Sequence, residues 1–189
     1  MIIDAVIPLL IEHGRQLTSK QIAEAAGVAE GTIFRAFGDK ESLIEAAVVR
    51  YLDPEPLRRA LREVDPALTL DVKVRTIVVL LRERFGNVFR VMAAVGYSER
   101  PPGGDQRQVF AEIVATILEP DLERLSLPTV RIASFIRLIA FSSAFPQLNE
   151  NVGFSDDELA QIILYGIAGH PDSANDPAVR AAAGAGEEG

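Results

Sequence analysis

The sequence predicts an all-α protein. Apolar residues recur at three- to four-residue spacing through nearly the whole chain, and no segment alternates for long between apolar and polar residues. Prolines and glycines separate the apolar segments from one another. With 189 residues, 48% of them hydrophobic, the chain can form one compact core and a small appended domain.

Four short helices are predicted before a proline-containing break that begins at Asp53-Pro54. They are expected at residues 2–13, 19–26, 29–37 and 40–52. Gly14 is a suitable stop for the first helix, whereas Pro8 should bend that helix or delay its start because proline has no backbone N–H. The break at Asp53-Pro54 predicts a first domain at residues 1–52.

Longer helices are predicted in a second domain at residues 53–170. They are expected at residues 56–64, 70–84, 85–95, 106–118, 128–145 and 156–168, with a kink or join at Gly86-Asn87. Asp105 with Gln108, and Ser155 with Glu158, have the spacing of helix caps. Residues 100–104 are predicted to form a flexible loop. The tail at 171–189 lacks large apolar residues and is predicted to be disordered.

The composition argues against several classes of chemistry. There is no cysteine and there are only two histidines, so neither a thiolate nor an imidazole-rich metal site is expected, and no cofactor is predicted. No glycine-rich phosphate loop follows a strand and no carboxylate pair lies near a base, so no catalytic residues are assigned. The N-terminus does not resemble a secretion signal, and the longest apolar stretch, 132–145, is shorter than the roughly 20 residues of a membrane span. We therefore expect a cytoplasmic protein with no membrane partner.

Residues 18–40 have the pattern of a helix-turn-helix. Thr18 and Gln21 form a capping box at the start of a helix. Two helices that cross steeply need a small side chain at the crossing, which Ala23 supplies, and a residue that tolerates positive φ in the turn, which Gly27 supplies. Ile33 is then the apolar plug of the second helix.

These residues carry a resemblance to a known family. Residues 2–52 resemble the N-terminal domain of the TetR (tetracycline-repressor-like) family of regulators. The matching positions are Ile2-Ile3-Asp4-Ala5, Gly14, Thr18, Gln21-Ile22-Ala23, Ala26-Gly27-Val28, Glu30-Gly31-Thr32-Ile33-Phe34, Phe37 and Asp39-Lys40-Glu41-Ser42-Leu43. The resemblance implies a three-helix DNA-binding domain, followed by a helical ligand-binding and dimerisation domain.

The resemblance also implies which residues meet DNA. Residues 29–37 would be the recognition helix, with its N-terminal end in the major groove. The positions that would face the groove or the phosphates are Thr18, Ser19, Ala29, Glu30, Gly31, Thr32, Phe34, Arg35 and Lys40. Gly31 would let the backbone approach the duplex, and Lys40 would share a phosphate with the free N–H groups of the next helix.

The sequence departs from the family pattern in ways that weaken the expected contacts. Ala29 replaces the usual serine, Glu30 stands where a basic residue is common, and Phe34 lacks the hydroxyl of the usual tyrosine. The whole chain has a net charge of −8, and residues 1–51 hold five basic and seven acidic side chains. We therefore expect modest DNA affinity with a shallow salt dependence. Glu30 is a candidate acceptor for the N4 amino group of cytosine.

The second domain is predicted to dimerise and to bind a ligand. The helix at 128–145 has apolar residues on nearly every side, and the helix at 156–168 is similar. Both helices are therefore expected to be buried on two faces. Family resemblance implies that they form a four-helix bundle in a homodimer, although both would also suit the interior of a monomer. A mainly apolar pocket for a small-molecule effector would have as wall residues Phe85, Phe89, Met92, Tyr97, Phe110 and Phe135, each of which also suits an ordinary core.

The functional prediction is a DNA-binding regulator, more often a repressor in this family, that binds a near-palindromic operator as a homodimer and is released by its effector. A helical protein-interaction adaptor without sequence-specific DNA binding is the alternative, because the chain is acidic and its tail is polar. A helical enzyme is a weaker third reading, for the compositional reasons given above.

Overall fold

The structure is a computed structural model that describes residues 2–96, 106–145, 148 and 153–166. Its first four helices are α1 (Ile2–His13), α2 (Ser19–Ala26), α3 (Glu30–Phe37) and α4 (Lys40–Tyr51). The predicted bounds of α1 and α2 are confirmed, α3 begins after Ala29, and α4 ends one residue before Leu52. Pro8 does not delay the start of α1 and lies on its exposed side.

The four short helices pack around an N-terminal core. Helix α1 contacts both α2 and α4, and α3 lies between α2 and α4. The buried residues of this core are all apolar: Val6, Ile7, Leu10, Leu17, Ile22, Ala23, Ile33, Leu43, Ala47, Val48, Val91 and Val95. Phe37 is half-buried against this core, as expected, and Phe34 is exposed.

Five more helices follow among the described residues. They are α5 (Glu55–Arg62), α6 (Leu70–Val95), α7 (Gln106–Leu118), α8 (Thr129–Ala144) and α9 (Asp156–Tyr165), with a 3₁₀ turn at Glu119–Arg124. The capping box of Ser155 and Glu158 is confirmed. The predicted 156–168 helix ends earlier, at Tyr165, because Gly166 forms its C-cap with a positive φ of 68°. The predicted cap at Asp105, the loop at 100–104 and the tail at 171–189 lie outside the described residues.

The predicted join at Gly86-Asn87 is wrong, because α6 runs without interruption from Leu70 to Val95. A glycine inside a helix costs only about 1 kcal/mol relative to alanine. Helix α6 packs against α1, α5, α8 and α9 along its length, and this packing outweighs that local cost.

Helix α6 also joins two cores. Its first half, with Val74, Ile77 and Leu81, belongs to a C-terminal core that it shares with residues of α5, α7, α8 and α9. Its last turns place Val91 and Val95 in the N-terminal core. The division of the chain into domains near residue 53 stays a prediction, and α6 contributes buried residues to both cores.

None of the described helices is by itself long and apolar enough to cross a membrane. The stretches Arg107–Arg124 and Thr129–Ala144 meet that requirement only as a pair, and they are bent by 114° at the break between them.

Candidate nucleic-acid interface

The helix-turn-helix begins with a complete capping box on α2. The Thr18 hydroxyl oxygen accepts a hydrogen bond from the Gln21 backbone N–H at 3.3 Å, and Gln21 Oε1 accepts one from the Thr18 backbone N–H at 2.9 Å. These two bonds satisfy backbone donors that a helix start otherwise leaves to solvent. The first residues of α2 are therefore held in place by local hydrogen bonds.

The turn after α2 depends on Gly27. Its φ of +66° lies in the left-handed region, and a Cβ added there would meet no other atom within 4 Å. The requirement for glycine therefore comes from backbone conformation and not from crowding. Ala23 and Ile33 are buried on the two sides of the turn, as the sequence pattern predicts.

Helix α3 presents one face to solvent. Glu30, Gly31, Phe34 and Arg35 are exposed, whereas Ile33 is fully buried. Ala29, the N-cap residue, is exposed too and makes no side-chain cap bond, and Thr32 is half-buried. The exposed side of α3 is therefore available to a partner.

A shallow cleft of about 430 Å³ lies beside this exposed face, between α2, α3 and the start of α4. Five of the predicted residues line it together: Thr18, Ser19, Glu30, Phe34 and Lys40. Ala29, Gly31, Thr32 and Arg35 belong to the same α3 segment but do not line the cleft. The sequence reasoning missed other lining residues, which are Gln16, Leu17, Lys20, Asp39 and Glu41. The position of Lys20 in the first turn of α2, one residue after Ser19, was a signal for it.

Acidic neighbours reduce the positive charge of this surface. Lys40 Nζ lies 3.5 Å from Glu41 Oε1, and Lys20 Nζ lies 3.9 Å from Glu24 Oε1. Arg35 makes no ion pair within the part of the chain that the structure describes. Asp39 caps α4 by accepting a hydrogen bond from the Ser42 N–H at 2.7 Å, and this bond lowers the pKa of the Asp39 carboxyl below its ordinary value. Any anionic partner must therefore compete with carboxylates for both lysines.

The described members of the predicted ligand-binding set lie in different surroundings, although Phe85 packs against the C-terminal core that contains Phe110. Phe85 and Phe89 lie in an aromatic cluster with Phe141 and Phe145, whose ring centroids are 4.9–5.3 Å apart in edge-to-face pairs. Met92 is half-buried further along α6. Phe110 is buried in the C-terminal core, Phe135 is exposed on α8, and Tyr97 lies outside the described residues.

Helix α8 carries an exposed apolar face. Val130 and Leu138 are 59% and 60% exposed, and Phe135 and Phe141 are also exposed. The other side of α8 is buried, with Ala133, Ile136 and Ala140 in the C-terminal core. One side of α8 is thus covered by this chain and the other is open.

Comparison with known proteins gives a match to the N-terminal helices. Residues 2–47 match the family described as bacterial regulatory proteins of the tetR family. Over 51 residues, the chain is 47% identical to an HTH-type transcriptional regulator of Bacillus subtilis, YvkB. That match covers 26% of this chain and 27% of YvkB, so it spans about a quarter of each protein.

Solved structures share the fold over most of the chain. A TetR transcriptional regulator from Streptomyces coelicolor is 22% identical, with a TM-score of 0.54, over 87% of this chain and 95% of its own. The regulator FadR of Bacillus subtilis, solved in complex with stearoyl-CoA, is 16% identical, with a TM-score of 0.57, over 88% of this chain and 97% of FadR. PfmR from Thermus thermophilus is 18% identical, with a TM-score of 0.54, over 88% of this chain and 98% of PfmR.

Proposed function

From the premise that its N-terminal helix-turn-helix belongs to the TetR family of bacterial regulatory proteins, we propose that this chain binds operator DNA as a homodimer and regulates transcription in the cytoplasm. Its likeness in fold to a solved TetR regulator over 87% of the chain supports the proposal. The observation that carries the proposal is the exposed face of α3, which follows the left-handed turn at Gly27 and lies beside a cleft lined by Thr18, Ser19 and Lys40. A helix with one buried and one free side, held by a rigid turn, suits the major groove.

Each exposed residue of this surface has a proposed role. Arg35 and Lys40 would meet phosphates, with the N-terminal N–H groups of α4 beside Lys40. Thr18, Ser19 and Thr32 offer hydroxyl donors, while Ala29 and Gly31 permit close approach of the backbone. Phe34, 47% exposed, would contact the edge of the groove. Glu30 has no ion-pair partner among the described residues and would accept from the N4 amino group of cytosine.

The proposal is tested by a mobility-shift assay with DNA upstream of the protein's own and adjacent genes. We expect a specific shift at low salt, and the log–log salt slope should be shallower than about −8 because the surface holds few free cations. Arg35→Ala should weaken operator binding by roughly tenfold, the loss of one charge-assisted bond. The matched control Arg59→Ala removes an exposed charge from α5 and should leave binding unchanged. No shift at low salt would favour the protein-interaction adaptor instead.

The exposed apolar face of α8 supports the proposed dimer. A monomer that leaves Val130, Leu138 and Phe141 in water exposes an apolar patch of the kind that marks interfaces. We propose that α8 and α9 pack against the same helices of a second copy. The two recognition helices would then meet successive major-groove faces about 34 Å apart, and the operator would be near-palindromic.

Light scattering on the purified chain tests the dimer. We expect a dimer at micromolar concentration, and Leu138→Asp should give a folded monomer because an ionised carboxylate at the interface would lose its hydration. Leu122→Asp is the matched control, since Leu122 is 53% exposed and lies in the 3₁₀ turn at Glu119–Arg124, outside α8 and α9. A monomeric wild type, or a dimer unaffected by Leu138→Asp, would contradict the model.

A small, mainly apolar effector is proposed to release the protein from its operator, so that the protein acts as a repressor. The likeness to FadR, which was solved with stearoyl-CoA, supports an apolar effector through fold alone. Phe85, Phe89, Met92, Tyr97, Phe110 and Phe135 remain its proposed wall residues. Effector and operator would each bind one conformational state better, so that each reduces the affinity for the other.

A further inference from the structure

A second groove, which we call the interdomain groove, lies between the N-terminal helices and the C-terminal helices. Its volume is about 690 Å³, within the range of small-molecule sites. Helix α1 supplies Ile3, Ile7 and Ile11 to one wall, and α5 and α6 supply Leu57 and Leu80 to the other. Both cores therefore contribute apolar surface to the same concave space.

The charged residues of the interdomain groove balance one another. Asp4 and Arg50 form an ion pair at 3.5 Å, and Arg84 donates hydrogen bonds to the backbone carbonyls of Tyr51 and Asp53 at 2.8 and 3.0 Å. Glu83 is exposed at the rim. With two acidic and two basic side chains in the lining, a charged ligand would lose hydration without gaining an unopposed counter-charge. The chemistry favours an uncharged ligand.

The groove lies next to the connection between the two cores. Leu80, Glu83, Arg84 and Asn87 line it from α6, and about one turn after Asn87 the same helix enters the N-terminal core at Val91. Arg84 also fixes α6 to the segment that joins α4 to α5. A molecule in the groove would contact α1 on one wall and α5 and α6 on the other. It would therefore favour one distance between α1 and α5 over others.

The groove is distinct from the other surfaces of the molecule. Phe85 and Phe89 lie on the other side of α6, roughly 150° and 170° around the helix from the mean direction of Leu80, Glu83, Arg84 and Asn87 at 3.6 residues per turn. None of the groove residues belongs to α8 or α9, so a second copy docked on α8 would leave the groove open.

We propose that the interdomain groove is a regulatory site for an uncharged, mainly apolar small molecule, and that its occupation changes operator affinity. The binding of a small molecule in the groove is a proposal by itself, whereas its effect on operator affinity rests on the proposed DNA-binding function. A ligand held by α1 on one side and by Leu57 and Leu80 on the other binds one arrangement of the two cores better than others, which is the requirement for coupling.

Binding is tested without DNA, by titration calorimetry on the full chain with three probes that share one alkyl chain: decan-1-ol, decanoate and decyltrimethylammonium, each kept below micelle formation. Decan-1-ol should bind at least about tenfold more tightly than either charged probe, a difference of roughly 1.4 kcal/mol. Equal or tighter binding of a charged probe would overturn the proposed chemistry, and no binding of any probe would overturn the site.

Two substitutions locate the probe. Ala60→Phe fills the groove from α5 and should abolish decan-1-ol binding, whereas Ala93→Phe adds the same ring at an exposed position of α6 outside the groove and should not. Ile11→Gln, at a partly exposed position of α1, reduces the apolar surface with little cost to folding and should weaken binding. Unchanged binding to both groove variants would place the probe elsewhere and overturn the site.

Operator affinity is then measured with and without saturating decan-1-ol. We expect operator affinity to change by about fivefold or more, which is the smallest coupling typical of allosteric pairs. This change should be absent in the Ala60→Phe variant. Decan-1-ol binding with unchanged operator affinity would overturn the regulatory role. A chain that binds decan-1-ol but shifts no DNA even without it would instead contradict the proposed DNA-binding function, while leaving the site in place.

Discussion

The two cores of this molecule bury their side chains in different ways. Among the described residues, the N-terminal core buries only apolar side chains, whereas the C-terminal region buries a charged pair, Lys73 and Asp121. Lys73 is 1% exposed, pairs with Asp121, and donates a hydrogen bond to the Pro66 carbonyl at 2.9 Å. Arg124 pairs with the same carboxylate from the surface.

The difference shows how each part is specified. The bounds of the N-terminal helices follow from interactions between residues three or four positions apart, such as the Thr18 cap and the turn at Gly27, and the exposed Asp4–Arg50 ion pair is a long-range addition to them. In the C-terminal part, ion pairs and hydrogen bonds join residues more than forty positions apart, as Lys73 with Asp121, Arg82 with Asp156 and Tyr165 with Asp71 show. Short-range interactions can be read from sequence, and long-range ones cannot.

The largest expected effect tests the buried pair. Asp121→Ala leaves the Lys73 ammonium buried without its partner, and we expect the free energy of unfolding to fall by about 3–5 kcal/mol. Urea denaturation followed by circular dichroism measures this loss. The comparison between the cores would fail if Asp121→Ala cost less than about 1 kcal/mol.

A double substitution separates the effect of the buried charges from the effect of the side-chain volume. Lys73→Met with Asp121→Leu replaces both ions by apolar groups of similar length, and stability should return close to that of the wild type or exceed it. If the double variant were as unstable as Asp121→Ala, the pair would be needed for its geometry and not merely for mutual neutralisation.

The next effect tests the turn of the N-terminal helices. Gly27→Ala forces a Cβ into the left-handed region, so we expect a loss of about 1–2 kcal/mol although the site has open space. Gly31→Ala is the matched control: it lies in α3 without positive φ, also in open space, and should stabilise the helix slightly. Equal effects of the two substitutions in thermal denaturation would contradict the conformational explanation.

A smaller effect, in the opposite direction, is expected at the start of α3. Ala29 is the N-cap of α3 and provides no side-chain acceptor, unlike Thr18 on α2. Ala29→Ser should stabilise the chain by about 1 kcal/mol, and Thr18→Ala should destabilise it by a similar amount. If the serine also contacts phosphate, operator affinity in the mobility-shift assay should rise. A serine that leaves stability unchanged would show that the cap is not limiting.

These local interactions explain which parts of the fold were predictable. The bounds of α1 and α2 and the Ser155 capping box follow from short sequence patterns, and the structure confirms them. The uninterrupted α6 was not predictable, because α1, α8 and α9, which are distant in sequence, pack along the helix that contains Gly86. The interdomain groove was missed for the same reason, since its walls come from α1 and α6, whose residues are some seventy positions apart.

The residues that line the cleft beside α3 were largely predictable, whereas the surroundings of the proposed pocket residues were not. Thr18, Ser19, Glu30, Phe34 and Lys40 line one cleft because they lie within one short motif whose geometry the turn fixes. The aromatic residues chosen as pocket walls were selected by composition alone. Phe110 is buried in the C-terminal core and Phe135 is exposed, because helical phase does not reveal which neighbour covers each side.

The smallest expected effect compares two acidic caps, one in each part of the molecule. Asp39 accepts a hydrogen bond from the Ser42 N–H, and Glu158 accepts one from the Ser155 N–H at 2.7 Å, and these bonds lower the pKa of each carboxyl below its ordinary value. A lowered pKa in the folded state means that ionisation stabilises folding. That contribution is complete at neutral pH and is lost as pH falls below the ordinary values of 3.8 for Asp39 and 4.5 for Glu158.

Amide variants keep the caps and remove the titration. Asp39→Asn still offers an acceptor to the Ser42 N–H, and Glu158→Gln still offers one to the Ser155 N–H, but neither can ionise. Each variant should show a shallower decrease of stability on the acid side than the wild type, measured by urea denaturation from neutral pH downwards. Because each cap acts within a few residues of its own helix, the two reductions should add in the double variant. An unchanged acid-side slope in both single variants would mean that these bonds do not distinguish the folded from the unfolded state.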